Sequence, residues 1–165
     1  MRTTNIVKIA SVESIQLRIP FAGEDRLENG SWGGKGLPTV DSLIVKVITD
    51  TVLVGWGETF GFAGIPAAKA AIDSILAPAV VGRDAAQMDK LMLDLQRQFH
   101  IFGRSGAVIF GLSAIDIALW DIAGKLANQP VHALLGGSDT TSLRRYASLV
   151  RYSDPSLVKE HVGVR

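Results

Sequence analysis

The sequence predicts an α+β fold in which a three-stranded antiparallel meander precedes a helical bundle. Two successive periodicities in the apolar pattern lead to this prediction. Up to about residue 60, three runs alternate apolar and polar residues, which is the period of half-buried strands. From about residue 65, apolar residues recur every three or four positions, which is the period of helices packed on a core. The chain is long enough, at 165 residues, to bury such a core.

The strands follow from short alternating runs. Ile15, Leu17 and Ile19 form the first run, which Pro20 ends. The next two runs lie on either side of a polar pair: Leu43, Val45 and Val47, then Val52, Val54 and Trp56. The polar pair Asp50-Thr51 predicts a two-residue hairpin turn. Thr51 does not suit the positive φ of such turns, so the turn type stays open.

Three helices follow the strands. Pro66 suits the first turn of a helix that Pro78 ends or bends. Asp84 is the predicted N-cap of the second helix, and Ser105 that of the third. The third helix has apolar residues around most of its circumference, so we expect it to be central and buried.

Composition excludes several function classes. The formal net charge is +1, which gives no electrostatic footprint for nucleic acid or an anionic membrane. The absence of cysteine excludes disulfides and thiolate chemistry. No apolar run approaches the roughly 18 residues of a membrane span, and no signal peptide begins the chain. We therefore expect a cytoplasmic protein with neither nucleic-acid nor membrane partners.

Two glycine-rich segments carry large apolar side chains that a small core does not require. The first loop (21–38) contains Trp32, and the second loop (58–64) contains Phe60 and Phe62, with Glu58 at the preceding strand end. One interpretation is a pair of lids over a binding site. The other is that these aromatic rings fold back onto the sheet.

The remaining motifs favour structural roles. Gly33-Gly34-Lys35-Gly36 lacks the spacing of a phosphate-binding loop, and the three histidines are scattered. Asp116 and Asp121 diverge around a helix and cannot form a carboxylate pair. We predict that each anchors a basic side chain or backbone groups, with Lys125 four residues after Asp121 as one partner.

The third helix and its exit resemble the N-terminal signature of the mandelate racemase and muconate lactonizing enzyme family, within the enolase superfamily. The matching residues span positions 111 to 136: Ile115-Asp116-x-Ala118-Leu119-x-Asp121, Gly124-Lys125, Pro130-Val131 and Leu134-Leu135-Gly136. Gly111 stands where the family usually has Ala. The resemblance implies a capping domain over residues 1–137 and the start of a truncated barrel domain over 138–165.

The resemblance also implies the chemistry of the complete enzyme. Family members place an α+β capping domain over a TIM barrel that binds Mg²⁺ on three carboxylates and abstracts a proton α to a substrate carboxylate. The implied partners are a small carboxylic-acid substrate and, for the complete enzyme, further copies of the chain. The implied substrate contacts lie on the two loops and on the first barrel strand: Trp32, Glu58, Thr59, Phe60, Phe62 and Ser148.

The catalytic set of the family is absent from the sequence. No Lys-x-Lys pair and no Asp/Glu/Glu metal set occurs, so we expect neither a catalytic residue nor a metal ligand in this chain. The expected function is the capping domain of an acid-sugar dehydratase or racemase/epimerase, incomplete on its own. The alternative is a non-catalytic α+β binding or interaction module derived from that family. The apolar segment 143–165, which such a module would not need, speaks against it.

Overall fold

The computed structural model describes residues 6–20, 39–60, 64–138, 142–144, 146, 156 and 159. The chain divides into two compact units, 1–18 with 41–139 and 19–40 with 140–165. All contacts reported below lie within the first unit. Of the predicted first barrel strand, 143–150, residues 143, 144 and 146 are described, and of the helix expected after it, residues 156 and 159. The rest of both segments lies outside the described residues.

A three-stranded sheet begins the fold. Its strands are β1 (Ile9–Pro20), β2 (Thr39–Thr49) and β3 (Val54–Thr59), in the order β1-β2-β3. The antiparallel pair β2–β3 places Val45 opposite Gly57 and Val47 opposite Gly55. The inward side chains of β2 are fully buried, as the alternating pattern predicted. The prediction of an α+β fold with an antiparallel meander is confirmed.

The turn between β2 and β3 differs from the prediction. The Thr49 N–H donates to the Leu53 carbonyl at 2.9 Å, and the Val52 N–H donates to the Thr49 carbonyl at 3.0 Å. Three residues rather than two therefore form the turn, and the positive φ of 64° falls on Val52, not on Thr51. A turn closed by one left-handed residue is the usual three-residue hairpin loop.

The helical part contains five α-helices and three shorter helical turns among the described residues. The α-helices are α1 (Ile65–Ala71), α2 (Ala77–Val80), α3 (Met88–Gln98), α4 (Ala107–Ala127) and α5 (Val131–Leu134). The other turns are a π-turn (Ile72–Leu76) and two 3₁₀ turns (Ala85–Gln87 and His100–Phe102).

Pro78 does not end the first helical segment, which continues past it. The helical path runs from α1 through the π-turn into α2, which ends at Val80, two residues beyond Pro78. In the π-turn the Ala77 N–H donates to the Ile72 carbonyl, five residues back. Because proline lacks an N–H and its ring crowds the preceding turn, a widened turn directly before it is a common accommodation.

One predicted N-cap is confirmed in part and another is wrong. Asp84 caps the 3₁₀ turn Ala85–Gln87 that leads into α3, whereas the N-cap of α3 itself is Gln87. The Asp84 carboxylate accepts a hydrogen bond from the Ala86 N–H at 3.0 Å and one from the Val7 N–H at 3.1 Å. Ser105 does not cap α4. Gly106 occupies the N-cap position with a φ of 79°, where glycine turns the chain without steric cost, and α4 has no side-chain cap.

Helix α4 forms the centre of the first unit. Its buried residues pack against the sheet and the other helices, as predicted: Val108, Gly111, Leu112, Ala114, Ile115, Ala118, Leu119, Ile122 and Gly124. Its opposite side is more open, since Ile117 is 46% exposed. By length and composition α4 would suit a membrane span, but half of its most apolar window is buried inside the protein, as in a core helix.

Candidate functional site

The strand that leads into the second loop lies directly on the backbone of α4. A Cβ atom built on Gly55 would lie 2.1 Å from the Ala118 carbonyl oxygen, and one on Gly57 would lie 1.9 Å from that of Ala114. No residue larger than glycine fits at either position without moving backbone. The sequence analysis missed this β3–α4 contact, although alternating glycines within a strand are its local signal.

Two side chains of α4 bind the outer edge of β3. The Trp56 N–H donates to Asp121 Oδ2 at 2.9 Å, and Lys125 Nζ donates to the Val54 carbonyl at 2.6 Å. The two side chains also pair with each other at 2.7 Å. We call Asp121 and Lys125 the edge clamp. The predicted anchoring role of Asp121 and its pairing with Lys125 are confirmed, whereas their targets on β3 were not foreseen.

The β3–α4 contact and the edge clamp fix the root of the second loop, where three of the candidate residues lie. Glu58 is exposed and accepts a hydrogen bond from Ser42 Oγ at 2.5 Å. Thr59 is only 4% exposed, and its hydroxyl donates to the Phe60 carbonyl at 3.1 Å.

Phe60 is 61% exposed, and its ring centroid lies 5.3 Å from that of Phe110 on α4. This aromatic ring therefore contacts a helix and leaves most of its surface open. The other candidates, Trp32, Phe62 and Ser148, lie outside the described residues.

A polar cluster joins β1 to α1. Lys69 Nζ donates to Ser14 Oγ at 2.6 Å and to the Ser14 carbonyl at 3.0 Å, and it pairs with Asp73 at 2.9 Å. Burial alone would raise the pKa of Asp73, but hydrogen bonds from Ser14 and Lys69 and the Lys69 charge outweigh it and lower that pKa. An ion-paired ammonium is a poor base for activating a serine. The cluster is therefore structural.

Asp116 differs from the other helix carboxylates. Within 6–20, 39–60 and 64–138 it has neither a hydrogen bond nor an ion pair, so the predicted basic or backbone partner is wrong for this part of the chain. Burial, and secondly the charge of Asp89, raises the pKa of the Asp116 carboxyl above its ordinary value. The side chain lines an open groove between α3 and α4.

The described residues do not fit a magnesium site. Magnesium binding needs several oxygen ligands held close together, and carboxylates supply most of those that proteins offer. In the part of the chain that the structure describes, no group of three or more His, Cys, Asp or Glu residues comes close enough to bind a metal ion. The Mg²⁺ that the resemblance implies has no cluster of ligands among them.

Comparison with known proteins identifies the family. The family model for the mandelate racemase / muconate lactonizing enzyme N-terminal domain matches residues 37–136, more than half of the chain. The chain belongs to this family. The match includes β2, β3, α1 to α5 and the edge clamp, so the β3–α4 contact lies inside the region that carries the family resemblance.

Two relatives of this family member are sugar-acid dehydratases. The chain is 33% identical over 115 residues to the arabinonate dehydratase of Saccharolobus solfataricus. The aligned region covers 70% of this chain and 31% of the relative. It is 36% identical over 125 residues to a putative L-rhamnonate dehydratase of Caldivirga maquilingensis, with coverage of 76% and 30%. The chain thus spans about a third of the length of these relatives.

Solved structures show the same fold. An enolase superfamily member from Polaromonas matches 95% of this chain and 41% of its own, with a TM-score of 0.77 and 27% identity. A mandelate racemase/muconate lactonizing protein from Paracoccus denitrificans, complexed with magnesium, matches 82% of this chain and 32% of its own, with a TM-score of 0.64 and 30% identity.

Proposed function

We propose that this chain is the capping domain of a Mg²⁺-dependent enzyme that abstracts a proton α to the carboxylate of an acid sugar. The observation that supports it most is the family match over residues 37–136 combined with dehydratase relatives at 33% and 36% identity. The polar first loop, with residues such as Glu24, Asp25, Arg26 and Lys35, favours a hydroxylated acid over an apolar one.

In this proposal the second loop contributes contacts to substrate from a rigid root. Phe60 and Glu58 are the exposed members, and Thr59, whose side chain points to the core, holds the strand end. Trp32 and Phe62 on the two loops, and Ser148 on the proposed first barrel strand, would complete the substrate contacts. The capping domain then covers residues 1–137 and the barrel begins within 138–165.

The catalytic groups belong, in this proposal, to the portion of the enzyme that aligns outside this chain in the relatives. Mg²⁺ would stabilise the charge that develops on the substrate carboxylate when its α-proton leaves. The described residues supply no cluster of three possible metal ligands. This chain's contribution is to close the site and select the substrate, in a homo-oligomeric, cytoplasmic enzyme.

A domain exchange tests the proposal. Residues 1–137 of this chain would replace the matching N-terminal region of the arabinonate dehydratase of Saccharolobus solfataricus. We expect the chimera to dehydrate acid sugars in the presence of Mg²⁺, whereas the relative lacking its N-terminal region should be inactive. Trp32→Ala and Phe60→Ala in the chimera should lower kcat/KM about tenfold or more, because remote contacts contribute to catalysis.

Two controls make a negative result informative. The chimera must unfold cooperatively and bind Mg²⁺ as the parent does. A folded, Mg²⁺-binding chimera without activity would contradict the capping role and favour the alternative, a non-catalytic binding module. The 165-residue chain alone should catalyse no metal-dependent α-proton exchange with acid sugars, mandelate or muconate, and exchange above background would contradict the assignment of the chemistry to the remainder of the enzyme.

A further inference from the structure

An open groove of about 370 Å³ runs between α3 and α4, away from the β3–α4 contact. Apolar side chains, including Met92 and Ile109, form its floor. Polar groups line its sides: Gln96, Arg104, Ser113 and Asp116. We call this surface the α3–α4 groove.

The two charges of the groove are not satisfied by the first unit. Neither Arg104 nor Asp116 has a hydrogen bond or an ion pair within the part of the chain that the structure describes. The other charge near Asp116 is the carboxylate of Asp89, which repels it. A partly buried carboxylate without a partner is unfavourable. The groove therefore has one unpaired charge of each sign beside an apolar floor.

The positions of these charges are self-complementary. Arg104 precedes the start of α4, Asp116 lies near its middle, and Ile109 lies between them along the chain. A two-fold axis that passes near Ile109 and runs across α4 would bring Arg104 of one copy to Asp116 of the other, and the reverse. The apolar floors would then face each other between two ion pairs. Leu93, which is 47% exposed, follows Asp89 by four residues on α3 and would extend this contact.

We propose that the α3–α4 groove is a two-fold interface between copies of this chain, with two reciprocal ion pairs between Arg104 and Asp116. A second copy fits better than a small ligand because the groove is open and its opposite charges are separated: Arg104 precedes α4, whereas Asp116 lies about two and a half turns along it. It fits better than an unrelated protein because the surface carries its own complement. This proposal names a surface for the expected homo-oligomer and does not depend on substrate or reaction.

A charge exchange between two variants of the full chain tests the interface. Arg104→Asp leaves two acidic groups in the groove, and Asp116→Arg leaves two basic groups. Each variant alone should dimerise at least about tenfold more weakly than the wild type, because like charges then face each other. An equimolar mixture should form a heterodimer in which both ion pairs are restored. Sedimentation velocity over a concentration series measures all three.

The matched control is Asp50→Arg, a charge reversal in the turn between β2 and β3, which should leave dimerisation unchanged. Circular dichroism establishes that each variant is folded. A wild type that stays monomeric at its solubility limit would refute the proposal. So would variants that dimerise as the wild type does, or folded variants that fail to combine when mixed.

Discussion

The two sides of α4 are built in opposite ways. Toward β3, two strand glycines leave no space between backbones, and the edge clamp pairs the outward backbone groups of Val54 and Trp56. Toward α3, side chains leave a groove in which Arg104 and Asp116 are unpaired within the described residues. One helix thus provides a contact that tolerates no change and a surface that can accept another molecule.

The comparison also separates two carboxylates of the family signature. Asp121 accepts hydrogen bonds from a backbone amide and from an ammonium group. Asp116 lies five residues earlier on the same helix and has neither kind of partner in the described chain. Their roles follow from what each faces: Asp121 lies opposite the Trp56 amide and has Lys125 four residues later, whereas Asp116 has Trp120 at that spacing.

The largest effect is expected from Gly57→Ala. The added Cβ would overlap the Ala114 carbonyl, which is backbone and cannot rotate away, so β3 or α4 must shift. We expect a loss of more than about 3 kcal/mol in the free energy of unfolding, measured by urea titration. Gly64→Ala is the matched control, since nothing lies within 4 Å of its added Cβ. A small loss for Gly57→Ala would show that the β3–α4 contact is not rigid.

An intermediate effect is expected from Asp121→Ala. The change leaves the Trp56 amide without its acceptor and removes the carboxylate that pairs with Lys125, which keeps the Val54 carbonyl. We expect a cost of about 1–3 kcal/mol in the free energy of unfolding. Hydrogen exchange at the Trp56 amide should accelerate as well. Asp116→Ala should leave both quantities nearly unchanged in dilute solution. Equal losses for the two variants would remove the distinction between the carboxylates.

The smallest effect is expected from Asp116→Asn. This substitution should stabilise the fold, whereas most substitutions destabilise it. Since the pKa of Asp116 is raised in the folded state, the ionised side chain destabilises the fold above that pKa. The variant should therefore be more stable at neutral pH, by less than about 1 kcal/mol. The gain should disappear as the pH falls through the folded pKa to the unfolded value near 3.9. Urea titrations across this pH range measure the gain in stability. A gain independent of pH would show that ionisation of Asp116 is not its cause.

The parts of the fold that depend on local pattern could be predicted from the sequence. The alternation of β2, the Asp84 cap and the central α4 follow from periodicity and capping chemistry. On the other two strands the predicted inward face was wrong, since Leu17, Ile19 and Trp56 are exposed. Two further local predictions were wrong because a neighbour fits better. Gly106 takes the N-cap position beside Ser105, and Val52 takes the positive φ beside Thr51.

The candidate site was harder to predict because its contacts join distant residues. The i,i+4 spacing predicted the pair Asp121–Lys125, but the Trp56 amide that Asp121 accepts from lies 65 positions away. The requirement for glycine at positions 55 and 57 follows only from the backbone of α4 lying opposite them. Likewise, the sequence places a lysine four residues after Asp121, but it did not show that Asp116 would have no partner in the described chain. In each case the contact depends on which element of the fold packs opposite the residue.

The edge clamp has a consequence for how this protein can assemble. A sheet grows by adding a strand to backbone groups that are open at its edge. At Val54 and Trp56 those groups are occupied by side chains of a helix that is itself anchored in the core. Stacking of copies strand to strand through this part of β3 would require α4 to release it first. Growth into fibrils by that route is therefore blocked in the folded chain.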